Sequence, residues 1–130
     1  YLKGEALVGG TQDGPYVMPT VYDLSKEDPR AREEIFGPIL SVLTVASDEE
    51  AIALANDTDY GLAASVFTAN TRRALRAARA IRAGTVTVNC YGEGNMATPF
   101  GGYKQSGIGR EGGVHSLEFY TELKNICVKL

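Results

Sequence analysis

The stretch Ile-Leu-Ser-Val-Leu-Thr-Val at 39–45 constrains the fold of this chain more than any other. It is a nearly unbroken apolar run, entered through a Gly-Pro turn at 37–38 and left at Ser47. Gly-Pro stops a helix and forces an extended or turned backbone. An apolar run of this kind reads as a strand buried on both faces, as in parallel sheets. Ser47-Asp-Glu-Glu50 then has the form of a capping box, in which hydroxyl and carboxylate satisfy the free N–H groups of a first helical turn. Ala51, Ile52, Leu54 and Ala55 give that helix an apolar stripe, and Asn56-Asp57 ends it.

The same alternation continues. Tyr60-Gly61 reads as a turn, and 62–68 as a second strand. Asn70-Thr71 caps a second helix over 72–83, and Gly84 is its stop. At about 100° per residue, Arg72, Arg76, Arg79 and Arg82 fall on one side of this helix, and Ala74, Leu75, Ala77, Ala78 and Ile81 on the other. Residues 85–89 alternate as a third strand, with Val86 and Val88 on one face. Strand–helix–strand–helix–strand with short connections closes as a parallel sheet with right-handed crossovers. The expected fold class is α/β, a mostly parallel sheet with crossover helices.

The flanks are less regular. Glu5-Ala-Leu-Val8 is a short apolar run closed by Gly9-Gly10. Residues 16–22 are rich in β-formers but contain Pro19, which suits an edge strand. Residues 90–110 are glycine-rich and read as a long loop, of a length that in compact domains is usually tied to binding. A short helix is expected within 113–120, and a terminal strand at 125–130 with Ile126, Val128 and Leu130 on one face. Such a strand has little to pair with in so small a unit and suits addition to a neighbouring sheet.

Several signals point to chemistry that the rest of the chain does not support. The five arginines within 72–82 have the density of a phosphate-binding face, but the formal net charge is −3, and a solvated or subunit-facing side is the plainer reading. Gly107-Ile-Gly-Arg-Glu-Gly112 matches Gly-x-Gly-x-x-Gly, yet a dinucleotide fingerprint follows a strand directly and opens a helix. Here a loop precedes it. Cys90 follows a strand end, where a nucleophile could sit, but no base has an activating spacing, so a structural thiol is the reading. His115, the sole histidine, is read as structural. Cys90 and Cys127 have no metal-ligand spacing, and no metal site is expected. Sequence leaves a disulfide between them open; without a secretory signal, two free thiols are expected.

The 130 residues, 44% of them hydrophobic, suffice for one domain with a core. No apolar run approaches the roughly 20 residues of a membrane span. Tyr1-Leu2-Lys3-Gly4 lacks the basic start and apolar stretch of a signal peptide. A cytoplasmic location is expected, with neither a membrane nor a nucleic acid as partner. The first residues read like the middle of a chain, so a piece of a longer protein is expected.

Four motifs then carry a resemblance. Glu-Glu-Ile-Phe-Gly-Pro at 33–38, Asn-Asp-Thr-Asp-Tyr-Gly-Leu-Ala-Ala at 56–64, Gly-Thr-Val-Thr-Val-Asn at 84–89 and Pro-Phe-Gly-Gly-Tyr-Lys-Gln-Ser-Gly-Ile-Gly-Arg-Glu at 99–111 stand in order and at spacings that closely resemble the NAD(P)-dependent aldehyde dehydrogenases. The resemblance spans essentially the whole chain and matches the C-terminal quarter or so of that family's subunit. It implies that 1–120 form the C-terminal part of the catalytic domain and 121–130 an oligomerisation strand.

The family oxidises an aldehyde in two stages. A cysteine thiolate attacks the carbonyl and hydride leaves to the nicotinamide; water then hydrolyses the thioester with help from a glutamate base. By resemblance these groups lie upstream, Cys90 does not match the nucleophile's motif, and this chain holds no catalytic residue and is inactive alone. The resemblance implies NAD or NADP as cofactor, with Glu34 accepting hydrogen bonds from the nicotinamide ribose hydroxyls and Phe36 and Leu62 packing near the ribose and nicotinamide. Glu34 and Leu62 each precede a strand, so parallel strands would set both at one sheet edge. Phe100 matches an aromatic of the substrate tunnel. Arg110 and Glu122 match a structural ion pair. The terminal strand implies a homo-oligomer, dimer or tetramer. Gly94 stands where some relatives have Phe. With Glu93 and Asn95 nearby, a more open, polar tunnel is expected, suiting an aminoaldehyde or betaine aldehyde. The alternative function is a non-catalytic oligomerisation or regulatory module.

Overall fold

The computed structural model describes residues 5–92 and 94–130. They divide into two compact units, one up to Ala51 and one from Ile52 onward.

In the first unit a short hairpin joins β1 (Gln12–Asp13) and β2 (Tyr16–Val17). Pro19 interrupts the expected strand, and β3 begins one residue later, at Thr20–Asp23. β3 pairs in parallel with β4 (Ile39–Val42), Thr20 opposite Ile39 and Asp23 opposite Val42. A single 3₁₀ turn, Pro29–Ala31, lies on the connection between them, capped by the Asp28 side chain on Arg30 N–H. Arg30 also grips Asp28 in an ion pair, which holds the Asp28 carboxyl below its usual range. The core of this unit is Thr20, Tyr22 and Leu24. Thr20 is buried because its Oγ1 is satisfied twice: it donates to Met18 O at 2.7 Å and accepts Gly10 N–H at 3.0 Å. Gly9, at φ 77°, passes so close to Pro19 O that no side chain fits there.

β4 departs from the sequence expectation. Leu40 is 59% exposed and Val42 is also exposed, while Ile39 and Ser41 are half-buried. One face of the strand is covered and, among the described residues of its unit, the other stays open.

α1 (Asp48–Asn56) follows as expected, with Asp48, Glu49 and Glu50 favourably placed in its first turn. Half of the capping box forms as expected, and the Glu50 carboxylate reaches one residue further back. Glu50 N–H donates to Ser47 Oγ at 3.2 Å, and Glu50 Oε2 accepts Ala46 N–H at 2.7 Å. Lys26 pairs with the other oxygen of the same carboxylate.

The second unit is built on β6 (Ala63–Val66) and β7 (Thr85–Val88), parallel, with Ala63 opposite Thr85 and Val66 opposite Val88. α2 (Thr71–Ala80) is the crossover between them. Asn70 caps it, its Oδ1 accepting Arg73 N–H at 3.0 Å. The helix lays Ala74 against the pair at 4% exposure and leaves Arg72, Arg76, Arg79 and Arg82 exposed; Leu75, expected inside, is exposed too. Asn89 closes the pair at φ 56°, a conformation asparagine tolerates better than most residues. Its side chain both donates to Thr68 O and accepts Thr68 N–H, imitating one more rung of ladder.

The fold class is α/β, with the parallel pairing realised as two separate two-stranded pairs. Two other expectations are corrected. Tyr60-Gly61 is not a turn but a strand, β5, paired antiparallel with β8 (Tyr103–Lys104). α2 ends at Ala80, not at Gly84, because the Asn56 side chain takes over the helix end: Nδ2 donates to Ala80 O and Oδ1 accepts Arg82 N–H. Residues 121–130 follow α3 (His115–Tyr120) as exposed chain without a ladder partner among the described residues.

Candidate functional site

The Gly-Pro turn at 37–38 sets the first group of residues. Thr20 N–H donates to Pro38 O at 2.9 Å, which ties the turn to the start of β3 just as β4 begins. Glu34, Ile35 and Phe36 therefore sit on an irregular segment immediately ahead of a fixed strand. The Glu34 side chain is exposed and has no hydrogen-bond or ion-pair partner among the described residues. Phe36, two residues on, is 97% exposed. An uncommitted carboxylate beside an open aromatic ring can accept from two hydroxyls and offer an apolar surface to what carries them. That chemistry fits the ribose end of a dinucleotide.

The second group lies in the other unit. Leu62 is the single residue between β5 and β6, and its side chain is half exposed. Its carbonyl accepts Thr85 N–H at 3.1 Å, and Gly61 O accepts Gly84 N–H at 3.0 Å. Phe100, also half exposed, makes an isolated antiparallel bridge with Glu111, with both backbone hydrogen bonds at 2.7 Å. That bridge answers how a loop residue can be fixed.

The loop ahead of Phe100 is strapped to the same segment. Gly113 N–H donates to Met96 O at 3.0 Å, and Gly112 and Gly113, at φ 76° and 55°, pass against the carbonyls of Thr98 and Ala97. Of the glycines that imitate a dinucleotide fingerprint, Gly112 thus serves close backbone approach. Gly109 lies under the ring of Phe119, and the nearest helix, α3, starts only at His115. Tyr120, at the end of α3, donates to Glu111 Oε1, and that carboxylate raises the Tyr120 pKa.

Two expected groupings change in detail. Arg110 is not paired with Glu122. Its guanidinium donates to Gly102 O at 3.0 Å and Gly109 O at 2.6 Å and lies 5.2 Å above the Tyr103 ring. Glu122 is exposed beyond the end of α3. The physical reason is proximity: two backbone carbonyls within the reach of Arg110 satisfy the guanidinium locally. Asn95, expected to lend polarity to the tunnel, has its Oδ1 committed to Ala97 N–H at 2.8 Å. Glu93 lies outside the described residues. Gly94 is open, with nothing within 4 Å of where a side chain would start.

Cys90 is half-buried and Cys127 exposed, and neither is bonded to the other. The Cys90 carbonyl, not its thiol, is engaged, by Thr87 Oγ1 at 2.9 Å. His115 is exposed at the start of α3. Among the described residues no group of three or more histidines, cysteines or carboxylates could hold a metal ion, and no helix is long and apolar enough to cross a membrane.

Sequence reading gave Asn56 only the end of the first helix, and Lys104 and Ser106 no role. Lys104 Nζ donates to Asn56 O and Thr58 O, each at 2.8 Å, and Ser106 Oγ accepts Gly61 N–H at 2.9 Å. The only signal was their place inside the motifs at 56–64 and 99–111.

Comparison with known proteins agrees with the motifs. The aldehyde dehydrogenase family model matches residues 2–126. Aminoacetaldehyde dehydrogenase of Pseudomonas aeruginosa is 57% identical over 122 residues, 92% of this chain and 25% of that protein. 2-Hydroxymuconic semialdehyde dehydrogenase of Pseudomonas putida is 57% identical over 118 residues, covering 90% and 24%. The crystal structure of an indole-3-acetaldehyde dehydrogenase in complex with NAD+ superposes with a TM-score of 0.87 at 52% identity, over 96% of this chain and 26% of that one. The chain spans about a quarter of the length of the curated relatives it matches. On the match of the family model along nearly its whole length, the chain belongs to the aldehyde dehydrogenase family.

Proposed function

We propose that the complete polypeptide carrying this chain oxidises an aldehyde to a carboxylic acid with NAD+ or NADP+, through a cysteine thioester formed by groups outside this chain. The chain itself contributes the walls of the site. The observation that carries this reading is the uncommitted Glu34 carboxylate beside the 97% exposed Phe36, on a turn anchored to β3 and β4.

When bound, the dinucleotide supplies the acceptor for the hydride. Glu34 accepts hydrogen bonds from the nicotinamide ribose hydroxyls, and being acceptor-only it takes two without a competing donor. Phe36 and Leu62 cover the apolar faces of the ribose and nicotinamide and exclude water there. Phe100 lines the approach of the aldehyde. These roles are positional: they hold reactants in register and lower the entropic part of the barrier. No side chain of this chain exchanges a proton or a covalent bond with the substrate, so the chain alone is inactive.

The aldehyde is small and polar or cationic, an aminoaldehyde or betaine aldehyde. Two features favour this: Gly94 leaves its stretch open, and the relative from Pseudomonas aeruginosa is named for aminoacetaldehyde. Residues 121–130 act as an oligomerisation strand in a dimer or tetramer, which fits their exposed Ile126, Val128 and Leu130. A cytoplasmic location accompanies this reading.

The test is NADH or NADPH formation, with NAD+ and NADP+ each supplied, by the complete polypeptide over a panel of aminoaldehydes, betaine aldehyde and linear aliphatic aldehydes, with the 130-residue chain run alongside. Turnover by the complete polypeptide, fastest on the cationic aldehydes, and none by the isolated chain, is expected. Turnover by the pure chain, or none by the complete polypeptide, overturns the reading.

A further inference from the structure

We infer that Lys104 and Ser106 are positioning residues for the nicotinamide end of the site, acting through the backbone of residues 60–62. The inference rests on the proposed role of Leu62.

The Leu62 side chain is half exposed and so only partly held by packing. Its position is set by the backbone on either side. Behind it, β7 takes the carbonyls of Gly61 and Leu62 through Gly84 N–H and Thr85 N–H. In front, β8 runs antiparallel to β5, with Tyr60 opposite Lys104 and Gly61 opposite Tyr103. Gly61 itself fits between Arg82 O and the Tyr103 side chain, where an added Cβ would stand 2.5 and 3.0 Å from its neighbours. The chain before Leu62 is therefore held on two sides.

β5 and β8 are each two residues long, too short to persist by ladder bonds alone. Four further bonds complete the clamp. Ser106 Oγ accepts Gly61 N–H at 2.9 Å. Gln105 N–H donates to Asp59 O at 2.9 Å. Lys104 Nζ bridges Asn56 O and Thr58 O, which fixes the C-terminal end of α1 to the same turn and puts a cation where the helix dipole favours one. Lys104 adopts φ 52°, a conformation costly for a residue with a long side chain. Such a conformation persists where the surroundings hold it, and the two Nζ bonds and the ladder do so here.

The turn that carries Lys104 and Ser106 also continues directly from Phe100. Gly101 lies against Gly84 with no room for a side chain on Gly84, and Gly102 lies as closely against Ser106. Leu62 and Phe100 thus hang from one packed backbone knot, and loosening its front side releases the Leu62 wall first.

The test uses the complete polypeptide and compares NAD+ with ADP-ribose, which keeps both riboses and lacks the nicotinamide. Ser106→Val removes the acceptor for Gly61 N–H, Ser106→Thr keeps it, and Lys104→Met removes the bridge to Asn56 and Thr58. Ser106→Val and Lys104→Met are each expected to lower kcat/KM for NAD+ by about three- to tenfold, the range of one or two net hydrogen bonds, and to leave the inhibition constant of ADP-ribose unchanged. Ser106→Thr is expected to match wild type on both. A general loss of folding would move NAD+ and ADP-ribose together. Equal effects on the two ligands, or none on either, overturn the inference while leaving the proposed function standing. A wild-type protein that uses neither NAD+ nor NADP+ and is not inhibited by ADP-ribose overturns the proposed function and this inference with it.

Discussion

The Asn56 side chain decides where α2 stops: its Oδ1 accepts Arg82 N–H at 2.7 Å while its Nδ2 donates to Ala80 O at 2.9 Å. Residues 24 and 26 apart in sequence thereby fix a helix end that local propensity would have carried to Gly84. Asn56→Ala leaves both backbone groups without this partner and is expected to cost about 1–2 kcal/mol of stability. Asn56→Asp keeps the acceptor and loses the donor, so it should cost less. Chemical denaturation of the complete polypeptide reads both, and a neutral Asn56→Ala would show that the helix end is set elsewhere.

Glu50 makes the stability of α1 pH-dependent. The hydrogen bond from Lys26, followed by that from Ala46 N–H, lowers its pKa below the usual glutamate range. A carboxyl whose pKa is lower folded than unfolded stabilises the fold fully above the unfolded value, and the contribution fades as pH falls through the folded value. Glu50→Gln should therefore be less stable than wild type at neutral pH, with the gap closing as the pH drops below about 4.5. Denaturation midpoints at several pH values test this, and a gap independent of pH would remove the carboxylate from the account.

Gly84 and Gly94 make a matched pair. A Cβ on Gly84 would run into Gly101 O, whereas Gly94 has nothing within 4 Å. Gly84→Ala is expected to destabilise the protein by about 3 kcal/mol or to abolish soluble expression, because both neighbours are backbone and cannot turn aside. Gly94→Ala should fold like wild type. Equal thermal stability of the two variants would show that the knot around Gly84 is looser than described.

The parts of this fold that were legible in sequence are those specified locally. The Ser47 cap on Glu50 N–H, the Asn70 cap, the strand at Thr85–Val88 and the break at Pro19 each act within a few residues, and each appears where the pattern put it. What escaped was set by distant partners. β5 and β8 are two residues each and pair across more than 40 positions, so no periodicity announces them. Arg110 found the carbonyls of Gly102 and Gly109, a choice that charge patterning cannot foresee. β4 reads as doubly buried, yet Leu40 and Val42 are exposed in a chain that spans about a quarter of its relatives. The candidate site was legible only through the motifs. Nothing in Glu33-Glu34 alone separates a ribose ligand from an acidic turn, whereas the lattice of bonds around Leu62 needed coordinates.

The central claim is that Glu34 holds the nicotinamide ribose. Steady-state kinetics of Glu34→Gln in the complete polypeptide, with the dinucleotide varied at saturating aldehyde, test it most directly. Glutamine keeps the size and loses the charge and one acceptor. The account predicts a fall of about tenfold or more in kcat/KM for the dinucleotide, as expected for charge-assisted hydrogen bonds, with the KM for aldehyde little changed. Unchanged kinetics would contradict it and return Glu34 to an exposed turn ahead of β4.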